Sequence, residues 1–326
     1  MFSRLAKTTA ALFAGLGMIL GASAALAQYP EKPISVICPY GAGGAADMLL
    51  RIALPHMEKA IGTTIVPEYK SGAAGVVGAN YYATVKPDGY RILLYNQPNM
   101  LLQTRYMKTA FEPEDFVPLL GLNLDWDMII VREDSPFKSI EDIINYAKAN
   151  PGKLTFGIPG YNTARHVNYA LFADLLAKHG ASVTLVAFEN GGKQMAAVLG
   201  GQVDIVCNTY ALMEQFEGKL RGLATYTDGR VVENVPSFKE LGYEGMYGVG
   251  TTCYLLINKK APAEVIETLR QKLSVLCDDP QLKEDICNAN MQYEYGVFNA
   301  ERCIELNDYF RKKIEELDPI LKLSQN

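Results

Sequence analysis

Apolar residues in this chain follow two rhythms that alternate along it. Short continuous apolar runs occur at 33–39 (PISVICP), 65–68 and 90–95, and they read as buried strands. Between the first two, Leu49, Leu50, Ala53, Leu54 and Met57 recur at helical spacing, which predicts a helix over 47–60. Another helix is expected over 77–85, and Pro87-Asp88-Gly89 turns the chain into the third strand. Gly-rich turns join strand to helix at 41–44 and 71–75. Strand, turn and helix in repetition predict parallel pairing in an α/β fold.

The alternation restarts after Gly121. Strands are expected at 126–131, 154–158, 182–188, 204–207 and 222–226, with helices at 139–149, 164–178 and 193–199. Ser139 caps the first of these helices, with Glu141 and Asp142 in its first turn. Residues 251–258 read as a strand returning to the first region, and helices follow at 263–277, 280–289 and 299–317. The expected architecture is a two-lobed α/β clamp, each lobe a mostly parallel sheet flanked by helices. Lobe 1 would be discontinuous, 28–125 plus 255–326, with lobe 2 (126–254) inserted. Two crossings between lobes make a hinge.

The first 27 residues stand apart: Arg4 and Lys7 open a segment that is uncharged from Thr8 to Ala27 and ends in Ala25-Leu26-Ala27. That is the pattern of a secretory signal peptide cleaved after Ala27, and it places the mature chain in the periplasm. Removing it leaves 36 acidic residues against 29 basic, down from 31, a net charge of about −7. An acidic surface argues against a nucleic-acid partner. The three histidines are scattered and no CxxC occurs, so neither a metal nor another cofactor is expected. Cys38, Cys207 and Cys253 fall in strands and read as buried apolar residues, while one disulfide among Cys277, Cys287 and Cys303 is open. Gly-x-Ser-x-Gly, HExxH and a Cys/His pairing are all missing from the sequence, so no enzyme is expected.

The informative chemistry lies in the turns. Tyr40-Gly41-Ala42-Gly43-Gly44-Ala45 leads into a helix that carries Asp47 in its first turn. Glycines let the backbone approach a ligand, and the N–H groups of a helix start bind an anion without Lys or Arg. The spacing is neither a Walker motif nor GxGxxG. Ser71-Gly72-Ala73-Ala74-Gly75 sits at the same end of the next strand, and neighbouring parallel strands share that edge. Gly160-Tyr161-Asn162-Thr163 and Phe188-Glu189-Asn190 hold equivalent places in the second lobe. Asn96, Gln97 and Asn99 follow the third strand, and Asn208, Thr209 and Tyr210 a second-lobe strand; both sets are candidates to line a cleft. Arg165, His56 and His179 are expected in solvent, His166 in a structural role and Trp126 in core packing near the lobe crossing.

These residues resemble the Bug family of periplasmic receptors, the substrate-binding components of tripartite tricarboxylate transporters. The resemblance runs from Tyr29 to Leu317 through YPEKPISVICPYGAGGAAD, GAAGVVGA, KPDGY, FGIPGYNTARH, GGQVD and VPSFKELGY. It implies a monomeric receptor that closes over a small organic carboxylate and presents it to membrane subunits of a transporter. By position, it implies a carboxylate held by Tyr40 to Ala45 with Asp47 and by Gly72 to Gly75, facing Gly160 to Thr163 and Phe188 to Asn190. The chain departs from the family at that pocket. Tyr69 and Ser71 stand for Asn and Pro, Asn162 for Gly, Phe188 for Tyr, Glu189 for Lys and Asn190 for Gly. The resemblance therefore does not carry citrate as the ligand. The alternative reading of the same fold is a binding module that feeds a sensor kinase, which the sequence does not separate from a transport receptor.

Overall fold

The computed structural model describes residues 29–216, 218–289 and 296–324. The expected signal peptide and its cleavage after Ala27 lie outside the described residues. No helix among them is long and apolar enough to cross a membrane.

Two sheets form among the described residues. The first contains β1 (Ile34–Cys38), β2 (Ile65–Tyr69), β3 (Arg91–Gln97), β4 (Phe116–Gly121), β10 (Thr252–Asn258) and β11 (Phe298–Asn299), in the order β11-β4-β10-β3-β1-β2. The second contains β5 (Asp127–Arg132), β6 (Thr155–Ile158), β7 (Thr184–Ala187), β8 (Ile205–Thr209) and β9 (Leu220–Thr225), in the order β7-β6-β8-β5-β9. Both sheets are mostly parallel by strand direction, as expected, with β10 and β11 reversed in the first and β5 in the second. β1 pairs in parallel with β2 and β3, and β6 with β7 and β8. β10 runs against β3 and β4, and β5 against β8 and β9. β5 and β10 are the strands that have just crossed between sheets, so each inserts against the direction of its neighbours. The two crossings are tied to each other: Asp125 and Thr251 exchange two backbone hydrogen bonds of 2.7 Å.

The strand-to-helix units carry α1 (Ala45–Ile61) and α2 (Val76–Thr84) on the first sheet. α4 (Ile140–Ala149), α5 (Ala164–Lys178) and α6 (Gly191–Leu199) serve the second. α8 (Ala263–Ser274), α9 (Pro280–Asn288) and α10 (Ala300–Leu323) complete the chain. Ser139 Oγ accepts from Asp142 N at 3.1 Å and caps α4 as its sequence indicates. Three elements carried no readable signal: α3 (Asn99–Tyr106), β4 and α7 (Tyr210–Glu214). β4 is masked by Pro118, which lies next to an irregularity in its pairing with β10 and so gives up no regular ladder bond.

Two single-residue expectations change. His56 is not a free surface residue: its Nδ1 lies 2.9 Å from Asp279 and its Nε2 3.0 Å from Asp285, joining α1 to α9. All six cysteines are free, and Cys277, Cys287 and Cys303 form no bridge. Trp126 is buried and packs on Tyr247 with ring centroids 5.4 Å apart, within the usual aromatic range of about 4.5–7 Å.

Candidate functional site

The first Gly-rich turn is held from behind by one carboxylate. Asp47 is buried in the first turn of α1. Its carboxylate accepts from Gly43 N at 2.8 Å, from Tyr69 Oη at 2.6 Å and from Arg51 Nε at 3.0 Å. Burial opposes its charge, but these three donors outweigh burial and hold its pKa below the ordinary value. Tyr69 is a departure from the Bug pattern, and here it closes this network.

The second turn has an unusual backbone. Gly72, Ala73, Ala74 and Gly75 all have positive φ, at 143°, 45°, 52° and 107°. Two alanines in the left-handed region cost about 1–2 kcal/mol each, so the surroundings must impose the shape. Gln103 does so: its Nε2 donates to Ala74 O at 3.1 Å while its Oε1 accepts from buried Tyr95 Oη at 2.5 Å. Tyr40 packs on Tyr95, and its hydroxyl accepts from Asn96 N at 2.9 Å.

Two turns of the second sheet face these. Thr163 caps α5, its Oγ1 accepting from His166 N at 3.3 Å, and Asn190 caps α6, its Oδ1 accepting from Lys193 N at 2.9 Å. The N-cap residues of α1, α2, α5 and α6 are Gly44, Gly75, Thr163 and Asn190, and all four line one cleft. The space in the cleft open to the centres of water-sized spheres is about 90 Å³, room for several waters or a small organic group. The two sides touch at its rim. Asn99 Oδ1 accepts from Ala164 N at 2.9 Å, and a Cβ on Gly160 would stand 3.0 Å from the Cβ of Ala74.

Of the expected residues, Tyr40, Gly41, Gly44, Ala45, Ser71, Gly72, Ala74, Gly75, Asn96, Asn99, Thr163, Glu189, Asn190 and Asn208 line the cleft. Ala42, Gly43, Asp47, Ala73, Gln97, Gly160, Tyr161, Asn162, Phe188, Thr209 and Tyr210 lie outside its lining. Gly43 and Asp47 are the back of the first turn. Phe188 turns towards the apolar core of the second sheet, and Tyr161 is exposed with its ring against His166. Glu189 lines the mouth, is largely exposed and pairs with Lys193.

The sequence reading missed Pro39, Ala46, Pro159, Gly191 and Leu212. It also misplaced Arg165, whose side chain is only 9% exposed, lines the cleft and pairs through Nε with Asp127 Oδ1 at 3.1 Å. One signal was available. The apolar run Tyr169-Ala170-Leu171-Phe172 follows at once, and every residue from Ala164 to Phe172 is buried. A helix start that is buried all round leaves no solvent face for Arg165.

His166 is structural. Its Nδ1 accepts from Asn162 N at 3.3 Å and its Nε2 lies 3.3 Å from Ser324 Oγ. Burial lowers its pKa from 6.5 to about 4. Between those values the unfolded chain takes a proton that the folded one refuses, so stability falls as pH drops from 6.5 towards 4. The effect reaches about 3 kcal/mol at full extent. His56, with its pKa raised by the two carboxylates against the opposing effect of burial, acts in the opposite sense. Urea unfolding at pH 7 and pH 5 is expected to show a smaller acid loss in His166→Gln than in the parent. An equal loss in both would remove His166 as the cause.

A family model described as the tripartite tricarboxylate transporter family receptor matches residues 49–314. A Cupriavidus necator protein, "UPF0065 protein in gbd 5'region", is 32% identical over 304 residues, 90% of this chain and 91% of its own. The periplasmic binding protein BugD superposes with a TM-score of 0.77 at 27% identity, covering 91% of this chain and 99% of its own. An R. palustris protein with adipate reaches a TM-score of 0.82 at 20% identity, covering 90% of this chain and 98% of its own, a likeness of fold. With helix starts from both sheets facing one cleft and the family match spanning most of its length, the chain belongs to the tripartite tricarboxylate transporter receptors, a family of periplasmic solute-binding proteins.

Proposed function

We propose that this receptor takes a small organic carboxylate into the cleft, on the helix-start amides of its first two turns, and delivers it to the membrane subunits of its transporter. The observation that carries this reading is the convergence of four helix N-caps on one cleft whose lining, among the described residues, holds a single basic side chain, Arg165. A helix N-terminus favours an anion by about 0.3–1 kcal/mol when exposed and up to ~2 when partly buried. A micromolar ligand needs about 8 kcal/mol. The dipoles therefore supply a large share and direct hydrogen bonds the rest. Two R. palustris proteins of this fold are described with adipate and with malate, which agrees in ligand class.

In this reading the contacts are Tyr40, Gly41, Gly44, Ala45, Ser71, Gly72, Ala74, Gly75 and Asn96 from lobe 1, facing Thr163, Asn190 and Asn208 from lobe 2. Lobe 1 is 28–125 with 255–326, lobe 2 is 126–254, and the paired crossings at Asp125 and Thr251 are the hinge. The mature receptor is a monomer, released into the periplasm by cleavage after Ala27, and it performs no catalysis.

A thermal-shift screen of the mature chain against mono-, di- and tricarboxylates, sugars and amines tests the ligand class. At least one carboxylate is expected to raise Tm, since a ligand at 100 times its Kd adds about 2.7 kcal/mol. A shift with a sugar or an amine and none with any acid would sink the reading.

A further inference from the structure

Among the described buried apolar residues from 126 to 250, Ala211 alone belongs to the apolar core of the first sheet. It sits in α7, is only 2% exposed and shares that core with Ala46, Leu49 and Leu50 of α1. Its neighbours Leu212 and Met213 belong instead to the core of the second sheet, with Met128, Ile130 and Val206. Gln215 follows Ala211 by four positions and so lies on the same side of the helical turn. Its Nε2 donates to Met48 Sδ in the first turn of α1. Met48 is itself packed on the first-sheet core, and its N–H bonds to Gly44 O at 3.0 Å.

α7 is therefore rooted in one sheet and seated against a helix start of the other. The seat adjoins the cleft, which Gly44 and Ala45 line from α1 and Leu212 lines from α7. On its own side α7 is held close to the start of α6: a Cβ on Gly191 would stand 3.2 Å from Leu212 Cδ2. The seat itself is slight. One alanine methyl and one thioether contact bury little apolar area, so this junction can break and re-form where a continuous core cannot.

We propose that α7 is the latch of the clamp: Ala211 and Gln215 seat on the start of α1 when the cleft closes and leave it when the cleft opens. This rests on the reading that the chain is a two-lobed receptor that closes over its ligand. Both are positioning residues, acting on the closed form and not on the ligand. Apparent affinity scales with the fraction of receptor able to close, so a weaker latch lowers affinity and speeds release. Position 211 has to be small and apolar, because a long charged side chain cannot be seated against the core of the first sheet. In the open form the same position faces solvent, where a substitution costs little.

Titration calorimetry and stopped-flow release on the mature receptor decide this, with butanedioate, hexanedioate and malate as probes. Ala211→Lys and Met48→Lys are each expected to weaken the probe that the parent holds best by about tenfold or more, with faster release. The Tm without ligand is expected to stay within about 2 °C of the parent's. A lysine beside an anion site strengthens binding by its charge alone, so a loss of affinity reports the latch and not the added charge. Binding by Ala211→Lys as tight as the parent's or tighter overturns the latch. So does a ligand-free Tm lowered beyond that margin, which marks a permanent core contact. If Ala211→Lys does not fold, Met48→Lys decides alone by the same two readings. If no acid binds the parent but a sugar or an amine does, the carboxylate reading falls, and the same comparison with that molecule still decides the latch. If nothing binds, the receptor reading falls and the latch with it.

Discussion

Asp127→Ala is expected to destabilise the receptor by about 3–5 kcal/mol, the range for breaking a buried ion pair by removing one partner. Asp127 is fully buried at the start of β5, and Arg165 is almost as inaccessible. Burial raises the Asp127 pKa, while Arg165 and Asn168 act against that rise. Taking the carboxylate away leaves a guanidinium in the interior with only Asp125 as a nearby negative charge, and Asn168 Nδ2 keeps only the longer bond to Val249 O at 3.4 Å. Asn168 also joins α5 to the returning chain: its Oδ1 accepts from Val249 N at 3.2 Å. The damage therefore falls where the second sheet meets the lobe crossing. Removing both charges in Asp127→Ala/Arg165→Met is expected to restore part of the loss. Urea unfolding of the three proteins measures this. A loss below about 1 kcal/mol in Asp127→Ala would show that the pair is not a main support of this lobe.

Asp47→Ala is expected to weaken carboxylate binding by roughly ten- to a hundredfold, although Asp47 does not touch the cleft. A hydrogen bond to a charged group contributes about 1.5–3 kcal/mol, and this carboxylate accepts from Gly43 N, Tyr69 and Arg51 together. Without it the Gly43 turn, which needs a left-handed residue at φ 78°, loses its anchor to α1. The amides then have to be ordered by the ligand at the moment of binding, which lowers affinity. Tyr69→Phe removes one donor only and is expected to show a smaller effect of the same sign. The comparison of Kd values by calorimetry checks the order. Unchanged affinity in Asp47→Ala would mean that the first turn holds its shape unaided.

The elements that could be read in advance share one property: their signal is local. The runs around Val36, Leu93 and Ile129 are continuous and apolar because both faces of their strands are covered. The stripe through Leu49, Ala53 and Met57 is a one-sided helix, and the Gly-rich turns announce themselves by composition. β4 was hidden by Pro118, and the reversed direction of β5 and β10 has no local signature at all. Direction within a sheet depends on which strand arrives beside which, and that is decided by the crossing at Asp125 and Thr251. The site divides in the same way. Fourteen of the expected residues line the cleft because turns at strand ends share an edge. Phe188 and Tyr161 were drawn in by proximity in sequence, but their side chains follow the second-sheet core and the solvent instead.

The sequence by itself determined the two-lobed α/β plan and the Gly-rich turns that begin helices. Those follow from hydrophobic period and from glycine placed before a helix. Only the tertiary structure decided which side chains face the cleft and which way their polar ends point. Arg165 became a cleft residue because Asp127, from a strand 38 positions earlier, lies 3.1 Å away in the interior. Asn99 has its side-chain oxygen engaged because α5, packed on the second sheet, brings Ala164 N to it. Such pairings join residues far apart in the chain, and no period or composition within one segment encodes them.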